Sequence, residues 1–309
     1  MMAAIGAVFE FAGTKRQSRE TITILRGQNV FQIAEELKAE GYIKSKLAFL
    51  GQVWQTGNLK NLKSGEYDFK GDNLGRIIEK LASADTVART ATIIPGQTLA
   101  DISHGLEKYG ISRHEFLNLA KIKSWQEQFD FLQGAPPAAD LEGFLFPDTY
   151  ELAQNPNADN FVKAALENFG KKFTSPWRQE IQKQNKTIFE TILMASMLEK
   201  EVKTLEDKKI VAGILYKRLN AKMPLQVDNT VMYVNNGKFN KELDSPYNTY
   251  KFAGLPPGPI CNPGMDSIEA AIEPIATDYW YYLSAPDGAT IFSKTYDQHL
   301  INVAKHLDN

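Results

Sequence analysis

The chain has 309 residues, which suggests two or three domains, and 43% hydrophobic against 23% charged residues is an ordinary globular balance. A formal net charge of -2, with no strongly basic half, argues against a nucleic-acid partner. The single cysteine, Cys261, leaves no internal disulfide, and no Cys/His cluster has metal spacing, so neither metal nor cofactor is expected.

The opening stretch "MMAAIGAVFEFAG" is apolar but shorter than the roughly 20 residues a membrane span needs. Residues 1–19 therefore read as a partial anchor or a disordered start. Lys15, Arg16 and Arg19 follow the apolar run, and on the positive-inside rule they belong in the cytoplasm.

An internal repeat comes next. "TILRGQNVFQIAEEL" (Thr23 to Leu37) aligns without a gap to "TIIPGQTLADISHGL" (Thr92 to Leu106), and Gly41 and Gly110 keep the same offset. Each copy reads as strand, Gly-Gln turn and amphipathic helix. Val30, Ile33, Ala34 and Leu37 share one helical face in the first copy, as Leu99, Ile102 and Leu106 do in the second. Asn29 and Thr98 stand at the N-cap positions. A second apolar helix near Leu47 to Val53 and the turn-strand "LKSGEYDF" complete the first unit, whereas the second copy lacks an obvious closing strand. This β-α-α-β pattern resembles a LysM glycan-binding module over residues 20–70, with a poorer repeat and connector over 71–138. A packing unit without ligand and a glycan-binding unit both remain open.

"FLQGAPPAAD" (Phe131 to Asp140) breaks helical periodicity, so the main boundary is expected there, with one α+β domain over 139–309. "TIFETILMASMLEKEV" opens on a Thr187/Glu190 capping box, and "TLEDKKIVAGILYKRL" opens on Thr204. "TVMYV" (Thr230 to Val234), "YWYYLS" (Tyr279 to Ser284) and "TIFS" read as strands. A last helix, Tyr296 to Leu307, has Leu300, Val303, Ala304 and Leu307 on one side.

The helix ending in "EKE" contains the candidate catalytic residue. Glu199 shares a stripe with Ile192, Ala195 and Val202, whereas Glu201 points about 200° away and reads as a helix-end charge. Burial raises a carboxyl's pKa toward the range a general acid needs. Ala195 and Ser196 are expected to leave room for a substrate. Downstream, Gln226, Asp228 and Thr230 alternate, so a strand would face them one way. Tyr247, Asn248, Thr249 and Tyr250 bring rings, an amide and a hydroxyl together, and "GLPPGPICNPG" (Gly254 to Gly264) is a stiff loop. Such groups suit a sugar cleft. A core tyrosine pair and a surface turn are the plainer alternatives.

"LEGFLFPDTY", "MLEKE", "LQVDNTV", "SPYNTY" and "GLPPGPICNPG" occur in this order. Together they resemble the YceG-like family of endolytic murein transglycosylases, over nearly the whole chain. The resemblance implies cleavage of the MurNAc-β-1,4-GlcNAc bond in nascent peptidoglycan strands, leaving 1,6-anhydro ends. It implies Glu199 as the catalytic residue; by residue type, Gln226, Asp228, Thr230, Tyr247, Asn248, Thr249 and Tyr250 are expected to bind substrate. It also implies a single-pass anchor in the cytoplasmic membrane with the catalytic domain outside, and the cell-wall synthesis machinery as partner. Thr290 stands where some relatives have His, while His299 is retained. Competing readings are a non-catalytic peptidoglycan-binding protein, a hydrolase pairing Glu199 with Asp228, and a small-molecule lyase, for which the sequence shows no phosphate loop or metal cluster.

Overall fold

A computed structural model describes residues 21–87, 89–153 and 155–307. The chain forms two compact units, Met1–Arg89 and Thr90–Asn309. Among the described residues there are twelve α-helices and small two-stranded sheets, a mixed α+β architecture. None of these helices is long and apolar enough to cross a membrane, and the expected anchor at residues 1–19 lies outside the described residues.

The first unit runs β1 (Ile22–Ile24), α1 (Val30–Ala39), α2 (Lys46–Gln55), β2 (Gly65–Tyr67) and α3 (Leu74–Ser83). β1 pairs antiparallel with β2, Ile22 opposite Tyr67 and Ile24 opposite Gly65. The core is built from Ile33, Leu37, Phe49, Val53, Tyr67 and Phe69. α3, which the sequence reading assigned to the 71–138 segment, contributes Ile77, Ile78 and Leu81 to this same core.

The repeat has a concrete cause. Gly27 and Gly96 both adopt positive φ, +90° and +86°. The glutamine after each turns its side chain back: Gln28 Oε1 accepts from Leu25 N at 2.6 Å, Gln97 Oε1 from Ile94 N at 3.0 Å. Asn29 and Thr98 then cap α1 and the helix α4 (Leu99–Glu107) with reciprocal bonds to Gln32 and Asp101. The second copy's closing strand lies much further on. β3 (Arg89–Thr92) pairs with β4 (Thr149–Leu152), which belongs to the "LEGFLFPDTY" segment.

The second unit continues with α4 (Leu99–Glu107), α5 (Arg113–Leu119), α6 (Ala158–Lys172), α7 (Ser175–Lys183), α8 (Ile188–Glu201), α9 (Leu205–Asn220), α10 (Asp228–Val234), α11 (Met265–Ile272), β5 (Tyr281–Ser284), β6 (Thr290–Ser293) and α12 (Tyr296–His306). Helix α8 is its axis: every residue from Thr191 to Leu198 is buried. The Pro-rich stretch at 131–140 is no linker, since Phe131, Leu132 and Ala135 are buried in this unit's core. The division between units comes earlier, after Arg89.

One expected element differs in kind and another in how it packs. "TVMYV" lies in helix α10, not a strand. β-propensity is realised only against a neighbouring strand, whereas here Thr230 N and Oγ1 both donate to Val227 O, at 3.2 and 2.8 Å, and close a helical turn. The last helix forms as expected but buries no residue; Leu300 and Leu307 stay 48% and 46% exposed.

Candidate active site

Glu199 sits where α8 meets two other helices. Its Oε2 accepts from Gly264 N at 3.0 Å, Ser267 Oγ at 2.5 Å and Lys208 Nζ at 3.4 Å. Gly264 caps α11 without a side chain of its own. The carboxylate therefore serves as a borrowed cap at the positive end of α11, and it pairs with the buried Lys208 of α9. Ala195 and Ser196 are fully buried, which leaves no room for a substrate there, and the Pro-rich loop meets Ser196. Ser196 Oγ accepts from Ile260 N at 3.0 Å, and Cys261 Sγ donates to Ser196 O at 3.3 Å.

Glu201, two residues on from Glu199, faces open space. It ends α8 and lines a cleft of ≈ 520 Å³ with Arg218, Gln226, Asp228, Asn229, Tyr250, Tyr281, Tyr282 and His299. Its Oε1 accepts from Asn229 Nδ2 at 2.9 Å and its Oε2 from Tyr282 OH at 3.1 Å. Burial pushes the carboxyl above its ordinary value; the Asn229 and Tyr282 bonds oppose the rise, and the neighbouring Asp228 charge adds to it. The reading of Glu201 as a mere helix-end charge thus changes. The sequence tells that the two glutamates point apart, but not which side is covered.

The other expected residues divide. Gln226, Asp228 and Tyr250 line the cleft. Gln226 takes a left-handed backbone, φ +57°, which turns the chain between the α9 exit and α10. Its Oε1 accepts from Arg218 at 3.2 Å, and Tyr250 OH donates to Asp228 Oδ1. Thr230, Asn248 and Thr249 are buried and structural. Thr249 Oγ1 accepts from Val227 N at 2.9 Å, and Asn248 Nδ2 donates to Lys241 O and Leu243 O. Tyr247 is half-buried, packs on Tyr233 at 5.4 Å between centroids, and is absent from the cleft lining.

Several cleft residues escaped the sequence reading. Buried Arg218 donates to Trp280 O at 2.8 Å and Leu225 O at 3.0 Å, joining β5 to the loop before α10. Tyr281 stacks on His299 at 5.4 Å and meets Tyr296 at 5.6 Å, forming an aromatic wall. Tyr250, backed by Phe239 at 5.5 Å, supplies another ring. Asn229 adjoins two expected residues, but the strand reading turned it away from them.

The sequence pattern of the YceG-like family matches residues 22–305. The chain is 34% identical over 297 residues to the endolytic murein transglycosylase of Bacillus subtilis, covering 90% of this chain and 82% of that one. It is 30% identical over 325 residues to the protein of the same name from Streptococcus pneumoniae, covering 94% of this chain and 58% of the longer relative. A crystal structure of a YceG-like protein from Listeria monocytogenes superposes with a TM-score of 0.65 at 31% identity, covering 91% of this chain and 98% of that one. With the match running from β1 into α12, the chain belongs to the YceG-like family.

Proposed function

We propose that the chain is an endolytic lytic transglycosylase that cleaves the MurNAc-β-1,4-GlcNAc bond of peptidoglycan strands, with Glu201 as its acid and base. The observation that carries this is the partly buried Glu201 carboxyl, with its raised pKa, in a cleft lined by Tyr250, Tyr281, Asp228, Gln226 and Arg218. Relatives named for this activity support the substrate and reaction.

Protonated Glu201 gives its proton to the leaving O4 as the C1–O4 bond breaks. The carboxylate left behind keeps the Asn229 and Tyr282 hydrogen bonds. It then takes the proton of the muramic C6 hydroxyl, whose oxygen closes onto C1. No water is consumed, and one carboxyl suffices because the sugar supplies its own nucleophile. Asp228 stands beside the developing cation, and the rings cover the sugar's CH faces. Glu199, first expected to be the acid, is assigned instead to holding α8 against α9 and α11.

The first unit is proposed to bind glycan in the manner of a LysM module, on the strength of its β-α-α-β order and the exposed Trp54 and Phe31. Residues 1–19 are proposed to contribute to a membrane anchor, on the strength of their apolar run. A nascent-strand substrate would put the enzyme beside the machinery that polymerises it.

Digestion of uncrosslinked glycan by wild type, Glu201→Gln and Glu199→Gln, with anhydro ends counted by mass spectrometry, tests the assignment. Glu201→Gln is expected to lose a factor of 10²–10⁴. Glu199→Gln, where it folds, retains activity. An active Glu201→Gln would overturn the assignment. Reducing ends carrying solvent oxygen would point to a hydrolase with Asp228 as second carboxylate.

A further inference from the structure

Glu142, in the "LEGFLFPDTY" segment, is only 2% exposed and lies outside the cleft lining. Both its oxygens are engaged. Leu99 N, at the start of α4, donates to Oε1 at 3.2 Å and Oε2 at 3.0 Å. Asn262 Nδ2, from the Pro-rich loop, donates to Oε1 at 3.1 Å. Tyr233 OH, from α10, donates to Oε2 at 3.1 Å. Asn262 is itself fixed, its side chain reaching Gln97 O at 3.0 Å and accepting from Leu145 N at 2.9 Å. Glu142 thus has a rigid side, α4 and the loop, and a side that reaches out to α10.

That reach matters because of what α10 holds. Asn229 and Tyr233 are four residues apart on this helix, so they stack one turn above the other. Asn229 grips the Glu201 carboxyl; Tyr233 grips Glu142. The Tyr233 end is not held by packing alone. A cavity of ≈ 280 Å³ opens beside it, lined by Thr98, Leu117, Lys121, Asp140 and Glu142. The ring also meets Tyr247, at 5.4 Å between centroids, and packs against the unit's core.

Resting on the assignment of Glu201, we propose that Glu142 is a positioning residue of the cleft: through Tyr233 it fixes α10, and with it the Asn229 amide that orients the Glu201 carboxyl. Burial pushes Glu142 up to about 8; the Leu99 amide opposes this, and Asp140 adds to it. The link survives either charge state. The acid form donates its own hydrogen to the Tyr233 oxygen, and a glutamine amide does the same.

The test measures kcat, KM and thermal midpoint for Tyr233→Phe, Glu142→Ala, their double variant, Glu142→Gln and Glu201→Gln, in the full chain on uncrosslinked glycan. Tyr233→Phe and Glu142→Ala are expected to lower kcat by roughly 10- to 100-fold, the cost of misplacing a reacting group by about 1 Å, with KM unchanged. The double variant is no worse than the worse single, and Glu142→Gln recovers kcat to within about threefold. Should Glu142→Ala fail to fold, Tyr233→Phe, which removes one hydroxyl, decides alone. A wild-type kcat in Tyr233→Phe, or a loss confined to KM, overturns the proposal while an inactive Glu201→Gln leaves the cleft assignment standing. An active Glu201→Gln removes the assignment itself.

Discussion

Replacing Glu199 by alanine separates the two glutamates most sharply. The side chain is 13% exposed and Lys208 only 7%, so neither charge is water's to compensate. At 3.4 Å and an effective dielectric near 20, their attraction is about 5 kcal/mol before desolvation. Desolvation offsets much of it in the intact pair, but removing one partner strands the other, at a cost of about 3–5 kcal/mol. The orphaned Gly264 amide and Ser267 hydroxyl act in the same direction. For a unit of this size that corresponds to a fall in Tm of roughly 6–20 °C. Lys208→Met together with Glu199→Ala should recover part of the loss, since no buried charge remains. Urea and thermal denaturation followed by circular dichroism give both numbers. A Glu199→Ala protein within about 1 kcal/mol of wild type but devoid of anhydro-forming activity would refute this reasoning and return the chemistry to Glu199.

Further outcomes follow from the cleft and the packing around it. Because Glu201 binds its proton more tightly folded than unfolded, wild-type stability should fall as pH rises from the ordinary glutamate range through the raised native value. Glu201→Gln should lack that slope and be more stable than wild type at the alkaline end; parallel Tm-versus-pH curves would contradict it. The alkaline limb of kcat/KM should move up in Tyr282→Phe, which loses a bond favouring the carboxylate, and down in Asp228→Asn, which loses a repelling charge. Shifts in the same direction would be inconsistent with the described contacts. Gly213→Ala should cost about 3 kcal/mol or more, read from denaturant midpoints, because its Cβ would lie 2.0 Å from Ile275 O.

Local chemistry was legible where neighbours in sequence are neighbours in space. The N-cap at Thr98, the capping box at Thr187, the glycine turns and the apolar run of α8 all follow from contacts within a few residues. What escaped depends on distant partners. Glu199 and Glu201 differ by what covers them, and the cover arrives from Ser267 and Tyr282, 68 and 81 residues on. The strand expected at "TVMYV" failed for the same reason: propensity indicates a pleated surface but cannot supply the strand beside it. Gln226, Asp228 and Tyr250 line the cleft because motif and surface coincide there. Thr230 and Thr249, one from each of two motifs, bond each other at 3.1 Å beneath the surface.

The twice-used Gly-Gln turn implies an order of events on the ribosome. In the first unit the strand before the turn meets its partner soon, as Thr21 reaches Glu66 across 45 residues. That unit can assemble early in synthesis, from nearby contacts. The second copy pairs Thr92 with Thr149 over a similar span, 57 residues, but must wait for Asn262, 165 residues on, before Gln97 is anchored. Closing so long a loop is slow. The same short phrase of sequence therefore marks one unit that can close early and a seam that waits for residue 262.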